Sequence, residues 1–205
     1  KWAQSRDGFM DPRPSNERSV GSGGRPITGP DAARVTHQWR AQEMGIIVGV
    51  GTALIDEPSL TVRFSNGKSP RAIVIDPNNR LPESHPLFIR PDVEPALHIT
   101  KGMGVSDANT CFWNPEEGLQ MLMERLWQEH GLSSALVEGG SNTLNHFLEE
   151  SLWDELKVWT AARDLKGGLG APNWPIEAVA PMHEPASGSA GSDRWSMAVH
   201  PHALK

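Results

Sequence analysis

The segment Gly49–Arg63, GVGTALIDEPSLTVR, places a hydroxyl, two acids, a proline and a guanidinium within a dozen positions, directly after the apolar run GIIV. Thr52 can cap a short helix, and Asp56, one turn later, could accept a ribose hydroxyl or steer a reacting group. Arg63 and Arg40 could clamp a phosphate, because a planar guanidinium engages two oxyanion oxygens at once. The plainer alternatives are a solvated acid in a first helical turn for Asp56 and ordinary surface charge for the arginines. A second stretch, ALVEGGSNTLNHF, repeats the pattern of apolar strand, glycines and helix. Gly139 and Gly140 allow close backbone approach, and the N–H groups of Ser141, Asn142 and Thr143 open a helix, which suits a phosphate or pyrophosphate. A helix start that needs only water and a serine cap is the plainer reading. Glu138 ends the strand before the glycines. Burial there would raise its pKa and suit it to a polar heterocycle, whereas an exposed strand end would leave an ordinary carboxylate. Neither stretch is the G-x-G-x-x-G fingerprint or a Walker loop.

Other chemistries find little support. Cys111 is the single cysteine, which excludes an internal disulfide and speaks against any cysteine-based zinc site within one chain. The eight histidines lack metal-ligand spacing except His200-x-His202, which falls in a loose tail and reads as incidental, so no metal is expected. There is no G-x-S-x-G elbow and no H-E-x-x-H. Trp113, Trp127, Trp153 and Trp159 read as core or interface, because no basic residues interleave them as a base-stacking surface would require.

The elements that must position these residues alternate. KWAQS reads as a strand entering a loop, and Arg6–Pro26 as loop throughout. A helix is expected from ITGPDAARVTHQWRAQEM, with Thr28 as N-cap, Pro30 in the first turn and Asp31 completing a capping box. GIIVGV, RAIVID and ALHIT read as strands. NPEEGLQMLMERLWQEHG is the clearest helix, capped by Asn114, ended by Gly131 and striped by Leu119, Leu122, Met123 and Leu126. SALVEGG, SNTLNHFLEES and DELKVWTAA follow as strand, helix and strand. After Lys166 the periodicity fades. This alternation predicts an α/β fold with a substantially parallel sheet, whose ligands bind beyond the carboxyl ends of the strands.

The 205 residues suit one domain, with residues 171–205 as a less regular extension. A net charge of −6 argues against a nucleic-acid or anionic-membrane surface. With one cysteine and no apolar run of bilayer-spanning length, the cytoplasm is the expected compartment. The opening KWAQSRDGFM, without an initiating Met, reads as the cut end of a longer polypeptide.

Taken in order, KWAQSRDGF, ITGPDAARVTHQWRAQEMGIIVGVGTALIDEPSLTVR, PRAIVID and LVEGGSNTLNHFLEESLWDEL resemble the reductase domain of the bifunctional riboflavin-biosynthesis deaminase–reductase, from Lys1 to about Gly170. The resemblance implies a dihydrofolate-reductase-like fold, with a mostly parallel mixed sheet flanked by helices. It implies NADPH-dependent reduction of the ribosyl group of 5-amino-6-(5-phosphoribosylamino)uracil to ribityl. By the same resemblance Ala3, Thr28, Thr52, Asp56 and Gly139–Thr143 lie along the cofactor. Arg40, Leu60, Arg63 and Glu138 meet the substrate, and Lys1, Asp56 or Glu138 supplies the proton. A homodimer and fusion to a zinc deaminase are implied for the full-length protein. The sequence departs from the family at Gly24-Arg25-Pro26, where a Ser-x-Trp is common, and at Pro77, where a Ser is common. The alternatives are the pyrimidine before deamination, a dihydropteridine, or a non-catalytic NADPH-binding domain.

Overall fold

The computed structural model describes residues 1–102, 106–172 and 186–204. Its elements in chain order are β1 (Trp2–Gln4), β2 (Phe9–Asp11), α1 (Pro30–Arg40), β3 (Gly45–Gly49), α2 (Val50–Asp56), β4 (Arg71–Ile75), β5 (Leu97–Thr100), β6 (Thr110–Phe112), α3 (Gly118–His130), β7 (Ala135–Val137), α4 (Ser141–Glu149), β8 (Glu155–Thr160), β9 (Leu169–Gly170), β10 (Ser187–Ala190) and β11 (Asp193–Val199).

Five strands form a wholly parallel sheet in the order β6-β5-β4-β3-β7. Its centre is β-branched on both faces. Ile46, Ile47, Val48, Ile73 and Val74 are all fully buried. Ile47, Ile73, Leu97 and Ile99 face one way, onto Leu119, Leu122 and Leu126 of α3 and Phe147 of α4. Ile46, Val48, Ala72 and Val74 face the other way, onto Ala53 of α2 and Leu60, Leu81 and Leu87. Burial on both faces is why these strands read as continuous apolar runs. A second sheet, β1-β8-β11-β10, is mixed, with β1 parallel and β11 antiparallel to β8. The Lys1 backbone nitrogen donates to the Val137 carbonyl at 2.9 Å, so β1 lies against the end of β7 and the two sheets meet there. Trp159 of β8 is fully buried, and Trp39 packs on it and on Trp195.

Three expectations need correction. The N-cap of α1 is Gly29, not Thr28, and Asp31 forms no capping box. The Gly29 N–H is instead taken by Asp193 Oδ2 at 2.6 Å, from β11, while Asp31 pairs with Arg34. A cap supplied from 164 residues away has no local sequence signature. Arg6–Pro26 is not all loop: it holds β2, which pairs with β9, and a 3-10 turn at Ser15–Glu17. The tail holds the β10–β11 hairpin, and β11 pairs with β8 over Arg194–Val199. Residues 173–185, including His183, lie outside the described residues. His200 and His202 are ordered by Trp153 and Asp154 rather than loose. No helix among the described residues is long and apolar enough to cross a membrane.

Candidate active site

Two strand-to-helix turns lie side by side at the carboxyl end of the parallel sheet, β3 into α2 and β7 into α4. Their contact explains their glycines. A Cβ on Gly49 would stand 2.3 Å from Thr143 Oγ1, and one on Gly139 would stand 2.7 Å from Thr143 Cβ. Thr143 is thus wedged between the turns. Thr52 does not cap its own helix, as the sequence suggested. Its Oγ1 accepts the Gly140 N–H at 2.8 Å and ties α2 to the start of α4. No side chain caps α4, so its first-turn N–H groups, carried by Ser141, Asn142 and Thr143, face a cleft of about 630 Å³. Unpaired N–H groups and the positive end of the helix dipole favour an anion there.

A second cleft, of about 600 Å³, opens on the other side of Thr52. Lys1, Ala3, Thr28, Arg40, Asp56, Leu60, Arg63, Glu138 and Gly139 all line it. Thr52 and Gly140 line both clefts, which therefore meet at the link between α2 and α4. Every residue nominated from the sequence borders one cleft or the other.

The electrostatics of the second cleft differ from the sequence expectation. Glu138 is buried, and burial pushes its carboxyl up. The Lys1 ammonium and the Arg40 guanidinium outweigh that push and hold the pKa at about 2. Arg40 grips Glu138 in a two-pronged bond, Nε to Oε1 at 2.9 Å and Nη2 to Oε2 at 2.7 Å, and its Nη1 donates to the Thr61 carbonyl. These contacts favour the ionised form of Glu138. Lys1 Nζ lies 3.9 Å from Glu138 Oε1, and burial lowers the ammonium pKa against the raising effect of Glu138. A buried ammonium with a lowered pKa gives up its proton more readily. Asp56 closes the last turn of α2 rather than opening the first. Burial raises its pKa, and Arg18 at 3.2 Å partly offsets the rise. The Arg63 guanidinium is exposed at the cleft's edge, over the Phe64 ring.

Sequence reasoning missed the strap over this cleft. Asp11 binds Arg13 through two oxygens and also meets Arg18, and Arg13 reaches Ser22 Oγ and the Gly23 carbonyl. The N–H groups of Gly21 and Gly23 then take the Leu54 and Ile55 carbonyls in the last turn of α2. Three arginines (Arg13, Arg18, Arg25) in a Gly- and Pro-rich stretch were the available signal. His37 was missed as well. It is buried, its Nδ1 accepts the Arg63 backbone N–H at 2.8 Å, and burial with Arg40 and Arg63 nearby lowers its pKa to about 4. The neutral ring holds Arg63 by its backbone. In the loop between Asp56 and Arg63, Glu57 and Leu60 take positive φ values of 42° and 51°, and Leu60 is driven into the core by that bend. Such strain costs on the order of 1 kcal/mol per residue and persists where surroundings enforce it.

Residues 1–170 match the family model described as the RibD C-terminal domain. The chain is 28% identical over 189 residues to a riboflavin biosynthesis protein RibD of Aquifex aeolicus, covering 87% of this chain and 50% of that one. It thus spans half the length of that relative. It is 29% identical over 205 residues to a 2,5-diamino-6-ribosylamino-4(3H)-pyrimidinone 5′-phosphate reductase of Eremothecium gossypii, covering 87% and 78%. Among solved structures, the Saccharomyces riboflavin biosynthesis reductase Rib7 superposes with a TM-score of 0.72 at 25% identity, covering 97% and 87%. Dihydrofolate reductase from Enterococcus faecalis gives a TM-score of 0.58 at 12% identity, covering 98% and 94%, a likeness of fold.

Proposed function

Because this chain belongs to the RibD C-terminal domain family, we propose that it reduces a 5-phosphoribosylamino-pyrimidine to its ribitylamino product with NADPH, a step of riboflavin biosynthesis. The observation that carries the reading is the junction of the two clefts at Thr52 and Gly140. The first cleft offers what a dinucleotide needs: an uncapped helix start for the pyrophosphate, and Ser15, Arg80 and His146 as a hydroxyl, a guanidinium and an imidazole for a 2′-phosphate. When bound, the nicotinamide supplies the hydride.

The residues of the second cleft suit the remaining work. Opening the ribosylamine ring breaks the C1′–O4′ bond, moves the amine N–H proton to O4′ and leaves a C1′=N imine. Reduction adds hydride to C1′ and a proton to the nitrogen. Lys1 is the proton donor in this reading, since Glu138 is held ionised and Asp56 is paired with Arg18. Glu138 holds Lys1 and Arg40 in place and presents a fixed acceptor to the pyrimidine. Arg63, held through His37, takes the 5-phosphate. Positioning of C1′ supplies much of the rate.

The lead substrate is the deaminated 5-amino-6-(5-phosphoribosylamino)uracil. The pyrimidine before deamination differs at one ring position, and the name of the Eremothecium relative favours it. A cationic Arg63 at the cleft's edge disfavours an unphosphorylated dihydropteridine. A non-catalytic cofactor-binding domain is the reading from another class. Gly24, Arg25 and Pro26, in place of Ser-x-Trp, line the second cleft and are what favours it. The same proposal makes the chain the reductase portion of a longer deaminase–reductase, set in the cytoplasm. It also makes the chain one subunit of a homodimer, for which the exposed Trp127 and Met121 of α3 offer apolar surface. Sedimentation measures that state.

The test follows reduced-nicotinamide absorbance with each pyrimidine phosphate and with NADPH or NADH. Substrate-dependent consumption, faster with NADPH, is expected. No consumption with either pyrimidine, while NADPH still binds, would leave the non-catalytic reading standing.

A further inference from the structure

We propose that Cys111, Glu129 and His130 form a site for a borderline-soft divalent metal ion of the zinc class, separate from both clefts. The sequence keeps these residues apart, and a lone cysteine spoke against such a site. The fold brings them together. Cys111 lies in the middle of β6 and is fully buried, while Glu129 and His130 form the last turn of α3. One ligand atom from each lies within 4.8 Å of the others.

Beyond the clustering itself, one observation points to a ligand here. His130 Nε2 is buried and has no hydrogen-bond partner among the described residues. A buried nitrogen in that state needs an explanation, and an ion is one of the few available. The Cys111 thiol lies beside the Phe112 carbonyl, 4.0 Å away, and the Ser106 side chain, and a bound cation would take the place of its proton. Thiolate, imidazole and carboxylate together suit zinc-class ions, with a fourth position for water. Two anionic ligands would neutralise a dication, and the carboxyl end of α3 adds its partial negative charge. Arg125, 3.7 Å from Glu129, and Arg71, whose charge acts on His130, oppose the cation, while Asp107 and Glu94 favour it. None of the three residues borders either cleft, so the ion would pin the edge strand β6 to α3 rather than join the reduction.

Tag-free protein, reduced with a phosphine and stripped by a chelator, is titrated with Co²⁺. The expected result is one equivalent bound with a near-ultraviolet thiolate-to-cobalt absorption, bleached by Zn²⁺. Cys111→Ser should abolish that absorption, and His130→Gln should weaken Co²⁺ binding at least about tenfold, the scale of losing even an outer contact of such a site. His202→Ala should change nothing. If Cys111→Ser does not fold, the partly exposed His130→Gln and a Zn²⁺-dependent rise in Tm of the unaltered protein still decide. Absence of the thiolate band, binding only at large excess, or an unchanged titration in His130→Gln would overturn the proposal.

Discussion

Replacing Glu138 with Gln tests whether Lys1 supplies the proton. Glu138 Oε1 lies 3.9 Å from Lys1 Nζ, and the two side chains are only 9% and 11% exposed. At an effective dielectric near 20, opposite charges at that distance attract by about 4 kcal/mol. The glutamine side chain keeps the shape and an acceptor oxygen but removes the charge. Burial and the Arg40 guanidinium, both of which already lower the Lys1 pKa, would then act unopposed. Lys1 must carry its proton to donate it, so activity is lost as pH rises through its pKa. The alkaline limb of the kcat–pH profile should therefore move clearly to lower pH in Glu138→Gln. The assay is reduced-nicotinamide absorbance under saturating substrate, with circular dichroism confirming the fold. Breaking a buried ion pair costs about 3–5 kcal/mol, so the profile is measured well below the variant's Tm. A folded, active Glu138→Gln protein with an unmoved alkaline limb would refute Lys1 as the donor.

Arg63→Ala should raise KM for the phosphorylated pyrimidine by about 10–100-fold, the scale of one charge-assisted bond, with kcat little changed; steady-state kinetics check the split. Thr52→Ala leaves the Gly140 N–H without its acceptor, so Tm should fall by an amount equivalent to about 1–2 kcal/mol and KM for NADPH should rise. Gly49→Ala presses a methyl onto Thr143 Oγ1 and should cost about 1–3 kcal/mol in urea unfolding. Adding Thr143→Ala should recover part of that loss, and a purely additive double variant would contradict the wedge. His37 has a pKa lowered from 6.5 to about 4, so its unfolded form takes up a proton first. Its share of stability is complete above pH 6.5 and declines as pH falls toward 4. His37→Gln should flatten that slope in pH-dependent melts.

Residue types alone determined the elements of the parallel sheet and its helices and where their turns fall, though not β2 or the β10–β11 hairpin. The β-branched runs Ile46–Val48 and Ile73–Val74, short and bounded by turn residues, read as strands buried on both faces, and they are fully buried. Asn114 and Gly131 bracket the segment that holds α3 because capping is a local interaction. The glycines at 49, 139 and 140 marked the turns that carry the site, since close backbone approach needs a missing Cβ. Partners distant along the chain left no such trace. Gly29 is capped by Asp193, Thr52 serves Gly140 rather than its own helix, and β11 completes a sheet begun at Trp2. The charge state of Glu138 turned on the same limit. Burial could be read from its place after an apolar strand, and burial by itself predicts a raised pKa. Arg40 is 98 residues away along the chain and Lys1 is its first residue, yet both stand against the Glu138 carboxylate and reverse the sign. Cys111 and His130 meet for the same reason. Local sequence encodes capping, periodicity and turn chemistry, whereas electrostatics acts through space and is decided only when strands and helices pack.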